Sequence, residues 1–169
     1  MEFTVLLDGE RLYFTIETAP TPLVPHSIHA FMSMVETKAW DGAALMFVEI
    51  HKGVIIASVD DDKDNVPVND KLTKRLLFPE YSHEFPHHKN TVGFGGNPGG
   101  PNFYFNLADN SDIHGPGGQA KHELMGEADS CFAKITHGAD IMDKINDRIK
   151  YNRLDLLIEK LNFISAVIE

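Results

Sequence analysis

The sequence predicts a mainly β fold, either a closed antiparallel barrel or a sandwich, with helices at its ends. Roughly eight short segments alternate apolar and polar positions or are rich in β-forming residues, while only two segments have helical spacing. Because the strands do not alternate regularly with helices, a parallel sheet with crossover helices is disfavoured. The length of 169 residues suits one core, so we expect a single domain over residues 1–169.

The predicted elements follow one another along the chain with turn-forming residues between them. The strand-like segments span residues 3–7, 12–17, 44–50, 54–59, 91–94, 103–107, 131–136 and 163–168. One helix is expected over 25–39, where Pro25 suits the first helical position, and another over 138–149. Residues 154–161 are a candidate for a short third helix. The aromatic residues expected in the core are Phe31, Phe94, Phe105 and Phe132.

Composition argues against several function classes. A formal net charge of −10 disfavours nucleic acid or an anionic membrane as the main partner. Cys131 is the only cysteine, which excludes an internal disulfide and a cysteine-based zinc site and favours a reducing compartment such as the cytoplasm or an organelle interior. No apolar run approaches the ~18 residues of a membrane span. We therefore expect a soluble protein without a cofactor.

Two metal-binding patterns are present only in part. His83, Glu84 and His87 match the H-E-x-x-H pattern of zinc proteases, but that pattern needs a helix and Pro86 would break one. Residues 60–71 begin with the aspartate spacing of a calcium loop and lack its glycine and its final glutamate. We expect both segments to be polar loops, the first of them exposed, with no metal site.

Glycine is concentrated around one aromatic strand. Eight of the 13 glycines lie between Gly93 and Gly118, on both sides of residues 102–107. Because glycine allows another chain to approach closely, we expect residues 93–118 to form a binding site.

Five segments also carry a family resemblance. Residues 132–145 are similar to the pattern F-G-K-V-x-x-G-x-x-V-[VM]-x-x-I, and residues 14–35 include an Ala-Pro turn before a helix. Residues 40–42 resemble an aromatic-x-Gly turn, residues 84–94 an E-x-F…T-[LV]-x-M segment, and residues 99–104 an N-G-S-Q-F-F strand. In this order the segments resemble the cyclophilin family of peptidyl-prolyl isomerases over nearly the whole chain.

The resemblance implies a closed eight-stranded antiparallel β-barrel capped by two α-helices, with a proline-accepting groove on its outside. The family's reaction is rotation about an X-Pro bond, whose uncatalysed barrier is roughly 18–20 kcal/mol. In the family an arginine polarises the prolyl amide, and glutamine, tryptophan and histidine hold the peptide. A two-pronged guanidinium in a dry groove favours the twisted amide over the planar one.

The polar groups that the resemblance would require are missing from their segments. There is no arginine between Arg11 and Arg75, the only glutamine is Gln119, and the only tryptophan is Trp40. Alignment from Trp40 places Phe47 at the arginine position. Alignment back from the later aspartate places Glu49 nearby instead. We therefore assign no catalytic residue.

The remaining groove positions can still be matched one by one. The candidate peptide-groove residues are Phe47, Val54, Ile55, Ala57, Gly95, Asn102, Tyr104 and His114. Val54 and Ile55 keep the pocket floor apolar, and Ala57 replaces the family's glutamine. Tyr104 either faces outward, with its hydroxyl at the groove, or turns inward and needs a buried partner.

The sequence thus favours a cyclophilin-like binding or structural domain whose isomerase activity is weak or lost. Its partner would be an extended or proline-containing protein segment, or a larger protein assembly. Two alternatives remain open. One is an active isomerase that uses displaced groups such as Lys52 or Arg75. The other is a metal-dependent hydrolase built on His83, Glu84 and His87.

Overall fold

In the computed structural model, the strands pair with one another in antiparallel fashion. The structure describes residues 1–7, 10–37, 44–48, 53–58, 76–95, 99–118, 127–151 and 161–167. The strands are β1 (Glu2–Leu7), β2 (Glu10–Thr18), β3 (Ala44–Val48), β4 (Val54–Ser58), β5 (Thr91–Phe94), β6 (Phe103–Asn106), β7 (Cys131–His137) and β8 (Leu161–Val167). The helices are α1 (Pro25–Glu36), α2 (Ser111–His114) and α3 (Ala139–Tyr151). The prediction of a mainly β, antiparallel fold with a few helices is confirmed.

The strands form a curled sheet in the order β1-β2-β7-β5-β6-β4-β3-β8. Strand β8 pairs with β3 through Asn162 and Ala44, and with β1 through Val167 and Glu2. All of these pairings are antiparallel. The curl gives the sheet an inner face, packed around the core, and an outer face.

Aromatic side chains fill the inner face. Phe31 of α1 lies within 4.6 Å of Phe132 and 5.2 Å of Phe103, measured between ring centroids. Phe14 lies edge-on to Phe105, with ring centroids 5.4 Å apart. The four phenylalanines predicted for the core are all at most 1% exposed, so that prediction is confirmed. Their burial is a major part of what stabilises the fold, since a buried phenylalanine contributes about 1.5–3 kcal/mol.

Helix α1 obtains its N-terminal cap from a distant residue. Pro25 starts the helix, as predicted, and the side chain of the preceding Val24 makes no capping hydrogen bond. Instead the Glu80 carboxylate accepts the backbone N–H of His26 at 3.1 Å and that of Ser27 at 2.7 Å. A carboxylate at this position also interacts favourably with the helix dipole. The loop around Glu80 is thereby fixed against α1.

Some predicted boundaries and elements differ from the structure. Every predicted strand segment overlaps an observed strand. The short helix α2 was not predicted, because four residues are too few to show helical periodicity. The candidate third helix over 154–161 lies outside the described residues except for Leu161, which begins β8. None of the helices in the described ranges combines the length and apolar character of a membrane crossing.

Candidate functional site

Strand β6 is buried on both of its faces. Phe103 and Phe105 point into the core, whereas Tyr104 and Asn106 alternate with them and face the outside of the sheet. Even so, Tyr104 is only 2% exposed and Asn106 only 1%. The outer face of β6 is therefore covered by other parts of the chain.

The side chains that cover this outer face lie against a glycine of the neighbouring strand. Gly93 of β5 lies opposite Tyr104 in the register. A Cβ atom at Gly93 would lie 2.8 Å from the Tyr104 ring and 2.9 Å from Cε1 of His87. The missing side chain makes room for both rings to lie against the sheet. At Gly93 the close approach is made by the chain's own side chains, and the binding site expected over residues 93–118 stays a prediction.

A hydrogen-bonded cluster, which we call the outer polar layer, consists of His87, Tyr104, Asn106, His114 and Asp129. The Asp129 carboxylate accepts from Nδ1 of His114 at 2.7 Å and from the Tyr104 hydroxyl at 3.1 Å. The backbone carbonyl of Asp129 accepts from Nε2 of His87 at 3.0 Å. Asp129 therefore joins three rings that come from separate segments of the chain.

The bonds of His87 fix its charge state. Because Nε2 donates to the Asp129 carbonyl, Nδ1 carries the lone pair, which accepts from Nδ2 of Asn106 at 3.4 Å. Burial lowers the pKa of His87 to about 4, although the bond to the Asp129 carbonyl acts in the opposite direction. His87 is neutral at physiological pH.

Tyr104 is held as a hydrogen-bond donor. Burial raises the pKa of its hydroxyl, and the negative charge of Asp129 raises it further. The hydroxyl therefore keeps its proton and donates it to the Asp129 carboxylate. This resolves the two orientations left open for Tyr104, because the ring lies on the outer face and still has a buried partner.

Two asparagines connect the layer to α2 and β5. Nδ2 of Asn106 donates to Oγ1 of Thr91 at 3.0 Å, and Oδ1 of Asn106 accepts from Nδ2 of Asn110 at 2.9 Å. The backbone N–H of Asn110 donates to the carbonyl of His87 at 2.8 Å. Since Asn110 precedes α2, these bonds place His114 over the sheet.

The H-E-x-x-H segment does not form a helix. Residues 83–85 form a turn in which His83 and Glu84 are exposed, as predicted. The prediction of an exposed loop is wrong for His87, which is fully buried. Its burial is possible because Gly93 leaves space and both ring nitrogens have partners. Within the described ranges no three side chains are grouped as metal ligands.

The structure brings some of the candidate groove residues together. Tyr104 and His114 are in ring contact, with centroids 4.6 Å apart, and Gly95 donates its N–H to the Asn102 carbonyl at 3.0 Å. Across β3 and β4, Phe47 pairs with Ile55 in the register. Val54 is buried and pairs with β6, as Ala57 does. Arg75, Glu49, Lys52 and Gln119 lie outside the described residues.

Three members of the outer polar layer were not among the candidates. The sequence pattern makes His87 a candidate metal ligand only, and it gives no functional role to Asn106 or Asp129. Asp129 lies 25 residues from Tyr104 along the chain, and His87 lies 42 residues from Asp129. No local sequence pattern reports such contacts. The one available signal was Gly93, which marks a close approach within a predicted strand.

Comparisons with known proteins agree with this architecture. Residues 9–161 match the sequence model of a family described as cyclophilin type peptidyl-prolyl cis-trans isomerase/CLD. A crystal structure of a Cryptosporidium parvum cyclophilin type peptidyl-prolyl cis-trans isomerase is similar, with a TM-score of 0.62 and 12% identity, covering 99% of this chain and 96% of that chain. A second structure from that organism, obtained in the presence of the dipeptide Ala-Pro, has a TM-score of 0.58 and 13% identity, covering 100% and 99%. A comparison with curated proteins finds no match.

Proposed function

Because this chain belongs to the cyclophilin-type peptidyl-prolyl cis-trans isomerase family, we propose that it binds extended or proline-containing segments of partner proteins, with isomerase activity that is weak or lost. One observation carries the proposal: no arginine occurs between Arg11 and Arg75, so neither β3 nor β4 supplies a guanidinium. Without that group the twisted prolyl amide loses its two-pronged hydrogen-bond donor. Peptide binding does not require the arginine, because an apolar pocket and backbone groups suffice to hold an extended peptide.

The proposal applies to one domain over residues 1–169, built as a closed eight-stranded barrel capped by α1 and α3. The pairing of β8 with both β1 and β3 supports closure. The groove would run over Phe47, Val54, Ile55 and Ala57 on one side. On the other side it would run over Gly95 and Asn102, with the buried Tyr104 and His114 lying beneath it.

Two observations support this location. Strand β4 pairs directly with β6, so the two sides of the groove adjoin each other in the sheet. The Cryptosporidium parvum protein, whose fold is similar, was crystallised in the presence of Ala-Pro, a ligand of the proposed chemical type. No cofactor is needed for binding of this kind. The same surface would serve if the chain is a subunit of a larger protein assembly.

An active isomerase is the second candidate. Family membership favours it. In this candidate, displaced groups would polarise the prolyl amide in place of the missing arginine. The two candidates predict different rates on the same substrates.

A protease-coupled assay on several X-Pro peptides separates the candidates. We expect the chain at micromolar concentration to leave the cis-to-trans rate at its uncatalysed value, while a cyclophilin that carries the arginine accelerates it under the same conditions. Peptide binding is measured in parallel by titration. Clear acceleration by this chain would support the second candidate. If no peptide binds, peptide binding is refuted and only a role as a structural subunit of a larger protein assembly is left.

A further inference from the structure

A line of hydrogen bonds connects Glu80, in the loop before β5, to Ser130, the residue that follows Asp129. Oε2 of Glu80 accepts the hydroxyl proton of Ser27 at 2.7 Å, and the Ser27 hydroxyl oxygen accepts the hydroxyl proton of Ser130 at 2.6 Å. Ser27, in α1, is fully buried, and Ser130 is only 2% exposed. We call Glu80, Ser27 and Ser130 the serine bridge.

The direction of the bonds in the serine bridge is set at the Glu80 end. Both carboxylate oxygens accept backbone N–H groups of α1, Oε1 from His26 and Oε2 from Ser27. A serine hydroxyl has a single proton. Because Ser27 donates its proton to Glu80, it acts as the acceptor for Ser130. Bonds that end on a carboxylate are stronger than neutral ones, and neighbouring bonds in a chain strengthen one another.

Ser130 links the serine bridge to the proposed groove and to the outer polar layer. Its carbonyl accepts the N–H of Phe94 at 2.9 Å, and Phe94 directly precedes the groove residue Gly95. In the other direction Ser130 is covalently joined to Asp129, whose carboxylate and carbonyl hold the three rings of the outer polar layer. A shift of Ser130 therefore moves one edge of the groove together with the layer beneath it.

We propose that Glu80 is a positioning residue for the peptide groove and that it acts through Ser27 and Ser130. Without the carboxylate, the Ser27 proton has no fixed acceptor, so the bond between Ser27 and Ser130 loses its direction. Gly95 and Asp129 then lose a constraint on their positions, and the groove holds an extended peptide less tightly. The inference rests on the proposed function, because it names the residue that sets the shape of the site assigned there.

Three variants interrupt the serine bridge at successive points, namely Glu80→Gln, Ser27→Ala and Ser130→Ala. Nuclear magnetic resonance titration with acetyl-Ala-Ala-Pro-Ala-amide measures the affinity at a temperature where circular dichroism shows every variant to be folded. We expect each variant to bind the peptide about threefold to tenfold more weakly than the native chain, as for the loss of one hydrogen bond. The amide resonance of Gly95 should shift in Glu80→Gln, although the substitution lies outside the groove.

A double-mutant cycle separates action through the serine bridge from a general loss of stability. Since Ser27 joins Glu80 to Ser130, Glu80→Gln should weaken binding in the native chain and have no further effect in Ser130→Ala. Independent losses would multiply instead. Thr37→Val is the control, because it removes a hydroxyl that donates to the Ser33 carbonyl at the other end of α1. It should lower stability and leave the affinity unchanged.

The outcomes that overturn the inference differ from those that overturn the proposed function. Native affinity in Glu80→Gln, or losses of affinity that multiply in the double variant, would refute the positioning role and leave peptide binding intact. An equal loss of affinity in Thr37→Val would refute it as well. If the native chain binds no peptide, the proposed function fails and this inference fails with it.

Discussion

The two faces of β6 are both buried, but by different chemistry. On the inner face Phe103 and Phe105 pack among other aromatic rings, and on the outer face Tyr104 and Asn106 are covered by hydrogen-bonded histidine and aspartate side chains. Burial of the inner face depends on volume and shape, whereas burial of the outer face depends on whether each donor meets an acceptor. One strand thus supports a non-directional core and a directional polar layer.

The difference bears on function because only the outer face adjoins the proposed groove. Apolar packing tolerates exchange among side chains of similar volume, while a buried polar group requires a specific partner. A ligand that touches the outer polar layer would therefore be selected by its hydrogen-bonding groups. We expect substitutions on the inner face to change stability alone and those on the outer face to change stability and binding together.

The largest expected effect is on the inner face. Phe105→Ala should lower the free energy of unfolding by about 3–5 kcal/mol, since the ring is fully buried and its removal leaves a cavity. Urea unfolding followed by circular dichroism measures the change. Leu77→Ala, at a side chain that is 84% exposed, is the control and should alter stability by less than about 0.5 kcal/mol. A loss below about 1 kcal/mol for Phe105→Ala would contradict the assigned core.

The second prediction concerns pH and the outer face. His87 has a pKa of about 4 in the folded chain against 6.5 when unfolded, so between these values the unfolded state binds more protons. Its contribution to stability is complete above pH 6.5 and is lost as pH falls through 4, with a total of up to about 3 kcal/mol. Urea unfolding at a series of pH values should show this slope in the native chain.

The control for this prediction is a pair of histidine variants. His87→Gln should flatten the slope between pH 6.5 and 4 relative to the native chain, while His83→Gln, at an exposed side chain, should leave it unchanged. If the slope is the same in all three proteins, His87 is not the neutral, buried group described above.

A third prediction compares two glycines of the outer face. Gly93→Ala should destabilise the chain by about 1–3 kcal/mol, because the added Cβ would lie 2.8 Å from Tyr104 and the rings must shift. Gly95→Ala should have a much smaller effect, since its Cβ would meet Tyr104 at an ordinary 3.8 Å. Thermal unfolding of both variants checks the difference. Equal losses of stability would show that Tyr104 and His87 do not lie against Gly93.

The smallest expected effect comes from one hydroxyl. Tyr104→Phe removes a donor to the Asp129 carboxylate and should lower stability by about 1–2 kcal/mol. Tyr13→Phe, at a side chain that is 51% exposed, is the matched control and should be nearly neutral. A Tyr104→Phe variant as stable as the native chain would mean that the hydroxyl contributes no net stability through Asp129.

The sequence was informative about the inner face and much less so about the outer one. Alternating apolar residues located all the strands, and the phenylalanines of the core could be identified because burial of an aromatic ring follows from local pattern. The outer polar layer depends on His87, Tyr104 and Asp129, which come from three distant segments. Each is an ordinary polar loop or strand residue until the fold brings them together. Glu80 was missed for the same reason, since it caps a helix that begins more than 50 residues earlier.

The separation of binding from turnover is the central claim, and exchange spectroscopy on a single sample tests it most directly. Acetyl-Ala-Ala-Pro-Ala-amide is added to isotope-labelled protein, and the amide shifts of the protein and the cis–trans exchange of the peptide are recorded together. The account predicts shifts at Gly95, Asn102 and Tyr104, with peptide exchange remaining on its uncatalysed timescale of tens of seconds. Exchange cross-peaks that appear within a second only when the protein is present would contradict it.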